Sequence, residues 1–96
     1  MPMFLVQRSL LGAVPADLRA MAARLSDVAE AMSAGGRPLS YLYTTYIPSD
    51  GRCLCLFRAV DVESVADVNR AADAPVESID EVAHLIPAQL SYGPGS

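Results

Sequence analysis

The chain has no lysine, only one histidine and no long apolar run. Each shortage removes a class of function. The seven basic residues are all arginine, at positions 8, 19, 24, 37, 52, 58 and 70, set against eleven acidic residues. With a net charge of −4 and no basic stripe to track phosphates, nucleic acid is not an expected partner. No stretch approaches the ~20 apolar residues that a bilayer-spanning helix needs, so no membrane association is expected. The opening Met1-Pro2-Met3-Phe4-Leu5-Val6 has neither a basic n-region nor a cleavage signature and reads as cytoplasmic. Two cysteines one residue apart make a poor disulfide framework for a secreted domain. There is no phosphate loop, no Gly-x-Gly-x-x-Gly, no His-Glu-x-x-His and no nucleophile elbow, and no organic cofactor is expected.

What is present is one domain's worth of globular sequence: 96 residues, 52% hydrophobic and only 6% aromatic. Residues 3–8 read as a strand, apolar on both faces. Pro15 suits the first turn of a helix and Asp17 its positive end. Leu18, Ala22, Leu25, Ala29 and Met32 recur at spacings of three and four, widened by Met21 and Val28 into the apolar face of that helix. Gly35-Gly36 stops it. Residues 39–47, aromatic and β-branched, read as a second strand. Pro48-Ser49-Asp50-Gly51 is a tight turn, and residues 52–58 return as a third strand. Asp61 caps a second helix with Val65, Val68 and Ala72 facing inward, and Pro75 ends it. Residues 77–86 give a final strand. The domain is taken as residues 1–87, with 88–96 as a tail whose Gly93-Pro94-Gly95-Ser96 has the composition of an appended segment.

The order β-α-β-β-α-β predicts an α+β, ferredoxin-like antiparallel sheet with both helices on one face. Strands one and three carry apolar residues on both sides: Phe4 and Val6 against Met3 and Leu5, and Leu54 and Leu56 against Cys53, Cys55 and Phe57. A sheet face left bare of helices would expose a large apolar patch, which monomers rarely tolerate. A homodimer packed sheet to sheet, a dimeric α/β-barrel-like assembly, is therefore expected.

With the elements placed, the run Asp50-Gly51-Arg52-Cys53-Leu54-Cys55-Leu56-Phe57-Arg58-Ala59, followed by Asp61 and Val68-Asn69-Arg70-Ala71-Ala72, resembles a bacterial family of small ferredoxin-like proteins described as nickel-responsive and nickel-binding. The similarity covers roughly residues 3–86, and Arg-Cys-Leu-Cys-Leu-Phe is its most specific part. The resemblance implies a ferredoxin-like dimer with metal binding at the dimer surface, the metal being nickel or another divalent transition metal.

Few side chains suit chemistry. Cys53 and Cys55 alternate with Leu54, so both project from one strand face, roughly 7 Å apart at Cα. Parallel side chains at that spacing are awkward to bridge but could chelate a soft or borderline metal, given further ligands from elsewhere or across a dimer twofold. They also read as small buried hydrophobes. His84, in the last strand, is the obvious imidazole ligand or general base, or a hydrogen-bonded rim residue. Asp80 and Glu81 offer hard oxygen ligands or a solvated strand end. Tyr41 and Tyr43 are expected to share one face of the second strand, with Tyr46 on the other, either orienting a ligand or packing. Arg8, Arg52 and Arg58 suit carboxylate binding, or serve as flanking charges that discourage edge pairing.

Three functions follow. The leading one is a homodimeric metal-binding protein for sequestration or sensing, with His84, Cys53 and Cys55 as candidate ligands. The alternative is a cofactor-independent enzyme of cyclase, isomerase or monooxygenase type on a small aromatic ligand, with His84 as base and Tyr41 or Tyr43 as oxyanion donor. The third is an interaction module without a site.

Overall fold

The computed structural model describes residues 1–83. Its elements run β1 (Met3–Ser9), α1 (Pro15–Ala34), β2 (Leu39–Ile47), β3 (Arg52–Ala59), α2 (Val62–Ala71) and β4 (Ser78–Val82). Proline does begin α1, where a missing N–H costs nothing. The Asp61 carboxylate caps α2 by accepting from the Ser64 backbone N–H at 2.9 Å. Of the expected last strand, residues 77–86, β4 forms Ser78–Val82 and Ala83 follows outside it; residues 84–86, with His84, and the tail lie outside the described residues.

The four strands form one antiparallel sheet in the order β2-β3-β1-β4, the ferredoxin-like arrangement, with β1 and β3 central. Strand alternation divides the residues between its faces. Phe4, Val6, Cys53, Cys55, Phe57 and Ala59 point at the helices and join Met21, Leu25, Ala29, Val65, Val68 and Ala72 in one core. The stripe read from the α1 sequence is thus centred on Met21-Leu25-Ala29. Met3, Leu5, Leu54 and Leu56 occupy the opposite face, which no helix of the described residues covers. No described helix is long and apolar enough to cross a membrane.

Two features depart from the sequence expectations. The pairing of β2 with β3 slips between Tyr41 and Tyr43: Tyr41 faces Phe57 while Tyr43 faces Leu56, so Leu42 is the extra residue of a β-bulge. The bulge shifts the parity of the strand. Tyr41 and Tyr46 therefore lie on the helix-covered face, and Tyr43, half exposed, lies on the other. Arg8 is not a solvated edge charge either. As the i+4 partner of Phe4 on β1 it enters the covered layer, where only 1% of it is exposed.

Candidate functional site

The chemistry-bearing side chains gather in the layer between the sheet centre and the helices. Cys53 stands directly opposite Arg8 across the β1–β3 ladder, and Cys55 opposite Val6. Both cysteines are free, and neither has any exposed surface. A guanidinium taken out of water needs a partner for each donor. Arg8 Nη1 donates to the Pro75 carbonyl at 2.6 Å and Nη2 to Asn69 Oδ1 at 2.8 Å. Asn69 is itself fully buried, and its Nδ2 donates to the Val65 carbonyl at 2.8 Å, which fixes its amide orientation. The Arg8 Nε–H, also buried, has no partner.

On the other side of the thiol pair, Thr44 faces Cys55 across the β2–β3 ladder. Its Oγ1 shares one hydrogen bond with Cys55 Sγ at 3.0 Å and a second with the Tyr41 hydroxyl. The Tyr41 ring lies 5.4 Å from that of Phe57, centroid to centroid. Tyr41 also borders a cleft of about 340 Å³ between α1 and β2, together with Ser26, Glu30, Ser33 and Ser40. A relay of hydroxyls thus leads from the buried thiol to this cleft. Tyr46 is not free to act on a ligand: its hydroxyl donates to the Leu10 carbonyl at 2.9 Å.

Burial dominates the ionisation of Cys53 and Tyr41. It pushes the Cys53 thiol up to about 11 from an ordinary 9.0, with the neighbouring Cys55 adding to the rise and Arg8 opposing it. Tyr41 is likewise raised by burial, its hydrogen bond to Thr44 working against the shift. The sign of the consequence is fixed. Below pH 9 the thiol is neutral in both folded and unfolded chains. Between 9 and 11 the unfolded chain releases the proton first, so stability falls as pH rises. The loss by pH ~11 is on the order of 2 kcal/mol. Urea unfolding at pH 8 and pH 10.5 should display it, and Cys53→Ala should flatten the dependence; an equally steep dependence in that variant would assign it to another group.

The structure brings Cys53, Cys55 and Tyr41 together and places Tyr43 on the far side of the sheet. A shared Tyr41–Tyr43 pocket therefore does not exist. His84 lies outside the described residues. Among the described residues, no group of three or more His, Cys, Asp or Glu side chains is placed to hold a metal. Thr44 carries no signal of its own in the sequence, and Asn69 stands there only within the Val68-Asn69-Arg70-Ala71-Ala72 run. Asn69 follows Val65 by four residues and Val68 by one, which places it on the inward side of α2.

An antiparallel ferredoxin-like sheet with a buried thiol pair and a buried arginine beneath two helices defines a small α+β domain of the ferredoxin-like class. Residues 4–82 match the family described as nickel responsive protein SCO4226-like, and the chain belongs to that family. The fold is also that of the protein reported as SCO4226 from Streptomyces coelicolor A3(2), in a crystal structure analysis. That structure superposes with a TM-score of 0.68 at 19% identity, over 88% of this chain and 99% of that one. No curated protein matches the chain.

Proposed function

We propose that the protein is a cytoplasmic homodimer that binds nickel, or a similar divalent transition metal, for sequestration or sensing. The observation that carries this reading is the family match across residues 4–82. The dimer is supported by the apolar sheet face on which the half-buried Met3, Leu5 and Leu54 lie around the buried Leu56, and which a second copy would cover.

The described residues do not by themselves complete a site for a divalent ion. Cys53 and Cys55 supply two donors on the helix-covered face, opposite to the one a second copy would meet, so a dimer twofold through the open face cannot add the partner's pair. In this reading the nickel ligands are His84 with one exposed carboxylate of β4, Asp80 on the open-face side or Glu81 on the other, because neighbouring residues of a strand face opposite ways. A bound imidazole must be neutral, so affinity should fall steeply between roughly pH 7 and pH 5.

The test is calorimetric titration of the tag-free protein with nickel at pH 7.5. His84→Ala should weaken binding by more than about tenfold, while Cys53→Ala/Cys55→Ala should leave it in place. Unchanged affinity in His84→Ala would move the site to a surface carboxylate such as Asp80 or Glu81. A parent protein that takes up no nickel would sink the reading.

A further inference from the structure

A buried cation without an anion is an expensive arrangement. Arg8 is in that position: the partners of its guanidinium are a backbone carbonyl and an amide oxygen, both neutral, and its Nε–H is unpartnered. None of the described salt bridges involves it. Its strand neighbour on the covered face is Cys53, and Cys55 follows two residues along the same face. One positive charge and two thiols therefore share a dry layer walled by Val6, Phe57, Leu25 and Val65.

Two thiols in an apolar wall suit one kind of guest. A zinc-like divalent ion closes its shell with four donors, and this wall offers two sulfurs and one hydroxyl, Thr44 Oγ1, already engaged with Tyr41. A soft d10 monovalent ion is satisfied by two thiolates in a line. Metal–thiolate bonds of roughly 2.3 Å place the sulfurs roughly 4.5 Å apart. Side chains at i and i+2 of a strand, roughly 7 Å apart at Cα, reach that separation by leaning together. Charge decides the rest. Two neutral thiols and one M⁺ give a bis-thiolate complex of charge −1 and release two protons, and the −1 complex offsets the unpaired Arg8. The hydroxyl relay from Cys55 through Thr44 to Tyr41 and the cleft beside α1 offers those protons a way out.

We propose that Cys53 and Cys55 form a two-coordinate buried site for a soft monovalent metal ion, copper(I) by chemical class, with Arg8 as the positioning residue that neutralises the bound complex. The site shares no residue with the nickel reading, so either can fail without the other.

The experiment is anaerobic titration of the full chain with copper(I) supplied as its acetonitrile complex, in competition with a chromophoric copper(I) ligand. Silver(I) serves as the redox-inert counterpart. One ion per chain, two sulfur neighbours by X-ray absorption and an unchanged circular dichroism spectrum are expected. Cys53→Ala/Cys55→Ala should abolish uptake; should that variant not fold, the sulfur count in the parent still decides. No uptake by the folded parent, three or more ligands around the metal, or uptake only with loss of the circular dichroism signal would each overturn the site. The role of Arg8 has its own readout. Arg8→Gln should weaken copper(I), whose complex is anionic, by about tenfold or more, and leave mercury(II), whose bis-thiolate is neutral, nearly unchanged. Equal losses for both ions would reduce Arg8 to a packing role.

Discussion

Gly51→Ala is expected to cost about 3–5 kcal/mol, the sum of a left-handed backbone and a steric overlap that cannot relax. The turn after β2 ends at Gly51 with φ +74°, a conformation that an L side chain adopts at a penalty. The turn is also docked against the loop after β1: the Leu10 N–H donates to the Gly51 carbonyl at 2.8 Å, and the Gly51 N–H donates to the Ile47 carbonyl at 2.9 Å. A Cβ at position 51 would lie 2.5 Å from Leu11 Cα and 2.6 Å from Leu11 N, both backbone atoms, so no rotamer change relieves it. Small domains of this length lose roughly 4–8 °C of Tm per kcal/mol, so thermal unfolding should fall by more than about 10 °C. Gly12→Ala is the control. Gly12 has a similar φ of +83° with nothing within 4 Å of its would-be Cβ. It should lose only about 1 kcal/mol, the conformational share. Equal losses at the two positions would mean that the turn and the β1–α1 loop are not packed together.

Gly51 also shows what a sequence can and cannot convey. Pro48-Ser49-Asp50-Gly51 announces a tight turn, because each residue type has a local reason to be there. Nothing in those four residues says that the turn meets Leu11, forty positions away. The same division runs through the fold. The bounds of α1 and β2, the Asp61 cap and the inward trio Val65, Val68 and Ala72 follow from local rules, and the structure has them. The bulge at Leu42 does not, since an extra residue in one strand is defined only by the register of its partner. It reversed the expected grouping of Tyr41 with Tyr43.

Arg8 was legible in principle. Its parity with Phe4 and Val6 assigns it to the covered face, against the general preference of arginine for solvent. The candidate thiols came out on one face as expected, because a two-residue spacing leaves a regular strand no other choice. What surrounds them was hidden: Arg8, Asn69 and Thr44 come from three elements, and only tertiary structure unites them.

The second large effect concerns the proposed dimer, and Leu5 is the position that separates assembly from folding. It sits on central strand β1, on the face without helices, with Leu56 beside it on β3 and the exposed Asp80 beside it on β4. A second copy seated on this face would surround Leu5, and a lysine there would have to be taken out of water together with Asp80, a desolvation penalty of several kcal/mol that the pairing need not offset. In the isolated subunit a lysine at this position would meet Asp80 across the β1–β4 ladder, an opposite-charge pair that a strand surface tolerates well. Leu5→Lys should therefore produce a folded monomer. Val6, one residue on, points into the core with no exposed surface, and Val6→Lys should prevent folding. Light scattering on the parent should give about twice the 10.2 kDa chain mass, falling to a single chain for Leu5→Lys with its circular dichroism retained. A parent that is monomeric at micromolar concentration would remove the case for a shared sheet face. A Leu5→Lys protein that stays dimeric would move the interface to another surface.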